Sequence, residues 1–398
     1  MKIEHVEAIN LLFDYPGRAG FQYAGGVCTS RVTTLVLVHT ECGHTGIGSV
    51  YSHPGLLYLV INEQLAPLLV GEDATDIDGI WHRMYGITRW YGRKGAAMTA
   101  LGGIDTALWD LKGKSEGKPV WQLLGGEQPS CPAYASGLLW SSIENLVTEA
   151  ASHLEAGYRR MKMRLARSEE FDVEAVRAVQ KAIGSDNDLM VDTSMRYSLE
   201  VAKRMGRHFA DENVFWYEEP FAPEDIDSYV ALRGEVDVPL AAGENEFGIQ
   251  GFRELIRAGA VDIVQPDASR CGGISEVIKV CELAHKHGLR AATHTWSDAV
   301  AIVANAHVIS AMPNGITVEV DRTDNPFVRE LLTEPLQITD GQLALSREPG
   351  LGIELDMDAV DKLRMADPLI VAIGKGRLRA LPLDANVALD LIPVDMVV

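Results

Sequence analysis

From residue 131 onward, short strand-like runs alternate with longer stretches whose apolar residues recur every three or four positions. The runs are Pro132–Ser136, Arg160–Arg164, Asp188–Asp192, Val214–Glu218, Pro239–Glu244, Val261–Asp267, Leu289–His294 and Ile316–Asp321. Runs of this length read as strands and the periodic stretches between them as helices. Eight strands alternating with helices predict a parallel α/β barrel rather than an open sheet. Residues 1 to about 50 read differently. Thr33–Val38 is β-branched and leucine-rich, and Cys42–Gly48 is a Gly-rich turn leading into another strand, so this part is expected to be antiparallel β. Residues 14–26 and 51–55 read as loops, either ordinary connections or, for one as long as the first, functional or disordered. From Leu56 to Leu124 the period is helical. Its clearest stretch, Ala96–Gly113, is rich in small residues, which allows close helix packing, and is expected to be core.

Three of the predicted strands end on a carboxylate: Asp192, Glu218 and Glu244, each 26 residues from the next. A strand, a helix and two loops occupy roughly 25 to 40 residues. Equal intervals of that size put the same strand position in consecutive units, at the C-terminal rim where barrels carry their chemistry. A single acidic residue there is often only a helix cap. Three converging carboxylates repel one another unless a cation neutralises them, and an all-oxygen set suits a hard ion, above all Mg²⁺, with Mn²⁺ as a substitute.

Other rim positions add to this set. Lys162 and Arg164 are two apart on a strand and so share a face. Asp267 ends the sixth run and His294 the seventh, 27 residues later. On neighbouring strand ends the aspartate can accept from one imidazole nitrogen, which fixes the tautomer and leaves the other nitrogen free as a base. Glu319 lies on the eighth run, within Val318-Glu319-Val320-Asp321, and adds another carboxyl at this rim. A cation flanked by Lys162 and Arg164 suits a substrate carboxylate and stabilises the dianion formed when the adjacent C–H loses its proton.

Charge and cysteine usage narrow the field. The chain has 398 residues, is 47% hydrophobic and carries a net charge of −20. So acidic a protein is not expected to bind nucleic acid, which needs a basic surface. Five scattered cysteines with no C-x-x-C pair read as reduced thiols. No run approaches the ~18 apolar residues of a membrane span, and Met1–His5 carries no apolar signal core. A soluble, cytoplasmic protein is expected, with no membrane partner.

Taken together, Lys162-Met163-Arg164, Val191-Asp192-Thr193, Glu218-Glu219-Pro220, Gly243-Glu244-Asn245, Pro266-Asp267 with Cys271-Gly272-Gly273, His294 and Glu319 resemble the enolase superfamily, in its mandelate racemase subgroup. Asp105–Lys114 is similar to that subgroup's capping-domain helix. The resemblance implies a modified TIM barrel, (β/α)7β, with an α+β capping domain. Residues 1–125 would be the cap and 126–340 the barrel. Residues 341–398 would be a segment returning to the cap, with residues 366–398 unassigned. It implies Asp192, Glu218 and Glu244 as Mg²⁺ ligands, His294 and Asp267 as the catalytic dyad and Glu319 as an electrophilic acid. The loops at 14–26 and 51–55 would close over the substrate. Tyr23, Tyr51, His53, Ser194 and Trp296 are the expected substrate contacts, and a homo-oligomer is expected.

One position departs from the pattern. The family's second strand often reads Lys-x-Lys, the second Lys being a base on the opposite face of the substrate. Here that position is Arg164, and a guanidinium stays protonated. Single-base chemistry by His294 is therefore expected: removal of the α-proton, then loss of the β-hydroxyl, on an aldonate or aldarate sugar acid. The Val318–Thr323 and Asn325–Phe327 stretches also resemble relatives acting on aldaric acids or their lactones. Lactone cycloisomerisation is thus the second reading, racemisation or epimerisation of a 2-hydroxy acid a third, and a non-catalytic metal-binding barrel the most distant.

Overall fold

The computed structural model describes residues 1–18 and 20–365; the tail left unassigned above, residues 366–398, lies outside the described residues. The chain opens with strands β1 (Ile3–Asp14), β2 (Phe21–Tyr23), β3 (Gly26–Cys28), β4 (Ser30–Thr40) and β5 (Thr45–Val50). β1, β4 and β5 form an antiparallel sheet in that order. β2 and β3 pair as a separate hairpin. The stretch read as a loop at 14–26 thus contains a turn, Pro16–Arg18, and β2, and ends where the paired β3 begins. Its Gly and aromatic content hid a hairpin too short to show an alternating pattern.

The long helix Ala96–Glu116 lies on this sheet and is buried over most of its length. Backbone meets backbone here. A Cβ at Gly48 on β5 would come within 2.1 Å of the Gly103 carbonyl oxygen, so no side chain fits. The small residues of the helix therefore serve close packing, as expected from their spacing.

Eight parallel strands follow: β6 (Ser130–Gly137), β7 (Arg160–Arg164), β8 (Asp188–Asp192), β9 (Trp216–Glu218), β10 (Leu240–Ala242), β11 (Ile263–Val264), β12 (Arg290–Thr293) and β13 (Gly315–Asp321). Each pairs with the next, and β13 pairs with β6, closing the barrel. A helix joins each successive pair, seven among the described residues, from Ile143–Glu155 to Ala299–Ala311. Three of these helices start on a serine cap. Ser142, Ser168 and Ser198 accept from Asn145, Phe171 and Val201 N–H, each cap contributing about 1 kcal/mol.

Inside the barrel Tyr134, Met190, Trp216, Ala241, Ile263 and Ala292 form an apolar layer. Tyr134 and Trp216 meet edge to face at 5.3 Å. This layer is a floor, so the mouth above it is a closed cup and not a channel.

The helix Ala299–Ala311 is buried on all sides. Its His307 accepts from Trp121 N–H at Nδ1 (2.9 Å) and lies 3.1 Å from the Leu351 carbonyl at Nε2. Beyond β13, β14 (Ile338–Thr339) and β15 (Gln342–Ala344) form a hairpin that pairs antiparallel with the start of β6. The chain then returns to the first sheet. Leu11 bridges to Arg364, and Met365 N–H donates to the Asn10 carbonyl at 2.8 Å. No helix among the described residues is long and apolar enough to cross a membrane.

Candidate active site

Asp192 and Glu218 are the last residues of β8 and β9. Glu244 is placed differently, two residues beyond β10. Gly243, at φ +132°, makes the turn between them. A Cβ there would sit 2.6 Å from Phe252 Cε1, so both the conformation and the space demand glycine. Leu138, Ala166, Ser194 and Glu219, just past β6, β7, β8 and β9, also have positive φ, from 40° to 64°. Such backbone costs of order 1 kcal/mol or more per residue and gathers at functional sites.

Oxygens of Asp192, Glu218 and Glu244 all lie within 4.8 Å of one another. Glu218 is held on every side: Oε2 accepts from Trp216 Nε1 (2.9 Å) and Gln265 Nε2 (2.8 Å), and Oε1 meets Lys162 Nζ at 2.5 Å. Asp192 Oδ1 accepts from Ser194 N–H at 2.7 Å. Asp192 Oδ2 and Glu244 Oε2 are buried and accept no hydrogen bond among the described residues, although the Arg164 guanidinium lies against the former. Three carboxylates with free, convergent oxygens and no nitrogen or sulfur donor among them suit a hard divalent cation.

Lys162 and Arg164 share the inward face of β7, as their spacing predicted. Lys162 Nζ also reaches Glu319 Oε1 at 2.9 Å. The Glu319 partner on its other side is Thr295 N–H, which donates to Oε2 at 2.9 Å. Burial favours a neutral Glu319, but Lys162, His294 and Arg164 outweigh it and hold the carboxyl down to about 2. Glu319 thus stands between Lys162 and His294 at the mouth.

His294 Nδ1 lies 2.9 Å from Asp267 Oδ2. Asp267 is itself fixed, its Oδ1 accepting from Ser269 N–H and Oγ–H (2.8 Å each) and from Asn305 Nδ2 (3.1 Å). An acceptor-only partner puts the imidazole proton on Nδ1 and turns Nε2 to the mouth. There Nε2 is 3.6 Å from Glu244 and 3.9 Å from Glu319. Burial would lower the imidazole's pKa, but Glu244, Glu319 and Asp267 together raise it. Asp192, Glu218, Glu244, Asp267 and Glu319 thus face two permanent cations and one imidazole in a nearly dry cup. The excess negative charge is what a divalent cation would balance.

The five expected substrate contacts separate. Trp296 stands at the mouth, with the Arg164 guanidinium 4.9 Å from its ring centroid and that of Arg31 4.5 Å away. Tyr51 lies under the Arg270 guanidinium (5.9 Å), and its N–H donates to the Ser269 carbonyl across the cap–barrel seam. Tyr23 closes the β2–β3 hairpin, near Phe21. Ser194 is turned onto Asp192 through both N–H and Oγ–H (3.3 Å for the latter). It therefore orients a carboxylate. The His53 backbone carbonyl starts the helix Pro54–Tyr58, and its ring makes no hydrogen bond among the described residues.

The N-terminal domain model described as mandelate racemase/muconate lactonizing enzyme matches residues 12–125, and the enolase C-terminal domain-like model matches residues 145–359. The chain belongs to the mandelate racemase/muconate lactonizing enzyme family. Among its relatives, the D-galactarolactone cycloisomerase of Agrobacterium fabrum is 37% identical over 84% of this chain and 92% of its own. The L-talarate/galactarate dehydratase of Salmonella typhimurium is 33% identical over 83% of this chain and 82% of its own. The crystal structure of that dehydratase liganded with Mg and L-lyxarohydroxamate matches at TM-score 0.83 and 30% identity, covering 92% of this chain and 93% of its own. The 3,6-anhydro-D-galactonate cycloisomerase of Zobellia galactanivorans matches at TM-score 0.85 and 32% identity, over 92% of this chain and 100% of its own.

Several residues of this family site were not singled out from sequence. Trp216 and Gln265 sit two residues before Glu218 and Asp267. Trp216 and Glu218 share the inward face of β9, so period-two counting back from Glu218 would have found the tryptophan; Gln265 and Asp267 lie past the end of β11, where the strand period does not apply. Asn305 could not be found that way, because it comes from the helix behind β12. Arg31, on β4, joins the cap to the rim through an ion pair with Asp321 at 2.9 Å, a contact across 290 residues of chain that no local pattern encodes.

Proposed function

We propose that the protein is a Mg²⁺-dependent sugar-acid dehydratase that converts an aldonate or aldarate into a 2-keto-3-deoxy acid. The observation that carries the reading is the pairing of His294 Nδ1 with Asp267 at 2.9 Å, with Arg164 in place of a second base. In this reading residues 1–125 act as the cap, 126–340 as the barrel and the segment from 341 as the return to the cap.

Asp192, Glu218 and Glu244 would hold the Mg²⁺, which when bound supplies positive charge to the substrate carboxylate and makes the neighbouring C–H more acidic. His294 Nε2 takes the α-proton, and the electron pair of the broken C–H bond moves into the carboxylate, giving an enediolate. Lys162 Nζ and the Arg164 guanidinium face the charge that develops there. Being fixed in place, they need no reorganisation as the charge forms. Glu319 and Asp267 hold Lys162 and His294 in position. When the enediolate collapses, the β-carbon–oxygen bond breaks and His294 Nε2–H protonates the departing hydroxide, giving water and an enol. Tautomerisation of the enol gives the 2-keto acid. One imidazole thus serves as base and then as acid, its pKa raised by carboxylates as this exchange requires.

The second reading, cycloisomerisation of an aldarolactone, draws support from the 37% identity to the galactarolactone cycloisomerase. It shares the first proton abstraction and differs in what leaves. The test is a screen of mono- and diacid sugars and their lactones with Mg²⁺, followed by mass and NMR. A product lighter by one water and carrying a 2-keto group supports the dehydratase. An isomer of unchanged mass formed from a lactone replaces it with the cycloisomerase. Glu218→Gln should abolish either activity and weaken Mg²⁺ binding, and turnover that survives exhaustive chelation would remove Mg²⁺ from the reading.

A further inference from the structure

A second cluster of metal-ligand side chains lies on the cap sheet, outside the barrel. His5 and Glu7 are on β1 and His39 is on β4. One ligand atom of each lies within 4.8 Å of the other two. The placement follows from a break in strand register. Ile3 pairs with Thr40 and His5 with His39, so β1 spends two residues where β4 spends one, a bulge at Glu4. A bulge re-aims side chains. Here Glu4 and His5 both face outward between the buried Ile3 and Val6. His5 thereby comes opposite His39; their rings stack at 4.1 Å with an 11° interplanar angle, so the exposed His5 ring has to turn off the stack for both in-plane lone pairs to meet one ion. Glu7, two residues on, is beside them.

The distances leave room for an ion between these side chains. His39 Nδ1 is tied to Thr45 Oγ1 at 3.0 Å, leaving Nε2 to face Glu7 Oε1 at 3.4 Å. A charge-assisted N–H···O⁻ bond is usually ~2.7–2.9 Å, so 3.4 Å is long for one. It is the separation of two ligands on one tetrahedral ion: Zn–N of ~2.0–2.1 Å and Zn–O of ~2.0–2.2 Å put N and O about 3.4 Å apart. Thr45 supplies the outer partner that fixes the ring of a metal-bound histidine. The cluster is also reachable, His39 being 24% and Glu7 40% exposed. An overall charge of −20 concentrates divalent cations around the protein.

The geometry points to a surface site for a borderline divalent cation, Zn²⁺ or Cu²⁺, held by His5, His39 and Glu7 and stapling β1 to β4. Its two nitrogens set it apart from the all-oxygen set of the barrel mouth, which suits Mg²⁺. The two sites should therefore sort their metals, and occupancy of one should not depend on the other.

The test titrates the full chain with Zn²⁺ in saturating Mg²⁺ by calorimetry and records Cu²⁺ EPR under the same conditions. One Zn²⁺ per chain that Mg²⁺ does not displace is expected. His39→Ala and His5→Gln should each weaken it at least tenfold. Nitrogen superhyperfine structure should report two imidazoles in the native protein and one in either variant. His5 is exposed, so His5→Gln should fold normally, keep its turnover with Mg²⁺ and lose only the rise in melting temperature that Zn²⁺ gives the native chain. Unchanged Zn²⁺ affinity in both variants, or a two-nitrogen Cu²⁺ signal that survives His5→Gln, would overturn the proposal. Neither readout uses the substrate, so failure here would leave the dehydratase reading standing.

Discussion

The mouth of the barrel has two unlike walls. On β7 stand the basic side chains of Lys162 and Arg164; across the barrel, three and four strands away, the chain beyond β12 and β11 presents His294 and Asp267, between which a proton can be held and released. Both walls are buried and both are braced, but by different means. Behind His294 stands a hydrogen-bond chain, from Asp267 to Ser269 and Asn305. Arg164 is instead flanked by the Trp296 ring and by Asp192. A hydrogen-bonded brace fixes a tautomer; a stacked and ion-paired one fixes a charge in space. The contrast suits chemistry in which one wall moves protons and the other only stabilises what the proton leaves behind.

The sharpest way to break this comparison is to remove the imidazole. His294→Asn should lower both product formation and exchange of the substrate α-proton with solvent deuterium by about 10³-fold, within the range general-base catalysis contributes. Exchange that persists in His294→Asn, and disappears only when Arg164→Met is added, would make the cationic wall a base.

Removing the charge from the other wall should cost less. Arg164→Met takes away one stabiliser of the enediolate, and turnover should fall about 10²-fold while His294-catalysed exchange continues. Arg164→Lys retains the charge and adds an amine able to act as a base. Exchange should then appear from the opposite face, read as deuterium in the epimeric product by NMR. If Arg164→Met abolished exchange completely, the division of labour between the walls would be wrong.

Much of this division was legible in the sequence, for a physical reason. Alternation of runs and helical stretches encodes the barrel, and equal spacing of Asp192, Glu218 and Glu244 encodes the rim, because both follow from the length of a strand–helix unit. The same logic placed Asp267 beside His294. What it missed depends on conformation rather than on count. Glu244 is brought to the rim by the positive φ of Gly243, two residues past its strand, although its spacing is that of a strand end. Ser194, read as a substrate contact, has φ +47°, which turns it back onto Asp192. The 14–26 stretch runs into a hairpin whose three-residue strands are too short to show a period. Arg31 meets Trp296, Thr323 and Asp321 only because the cap docks on the barrel.

The smallest effect on turnover comes from a second buried imidazole, which asks whether burial or the surrounding wall sets the state of His294. His307 is as deeply buried, but among the described residues its ring nitrogens meet no carboxylate, only the Trp121 N–H and the Leu351 carbonyl. Burial accordingly pushes it down to about 4, whereas His294 is raised. The sign of the pH effect follows. Between about 6.5 and 4 the unfolded chain binds the His307 proton and the folded chain does not. The stability is therefore fully present above about 6.5 and is lost as pH falls through the folded value, an amount of about 3 kcal/mol. His307→Gln removes the titration. Its turnover at neutral pH should stay within about twofold of the native value, since burial and not chemistry holds the ring. Its urea-unfolding free energy should fall less steeply than the native one between pH 6.5 and 4, by about 3 kcal/mol over the window. Equal slopes for the two proteins would mean that the folded state accepts a proton at His307. The contrast between a histidine held neutral by burial and one raised by its carboxylate neighbours would then fail.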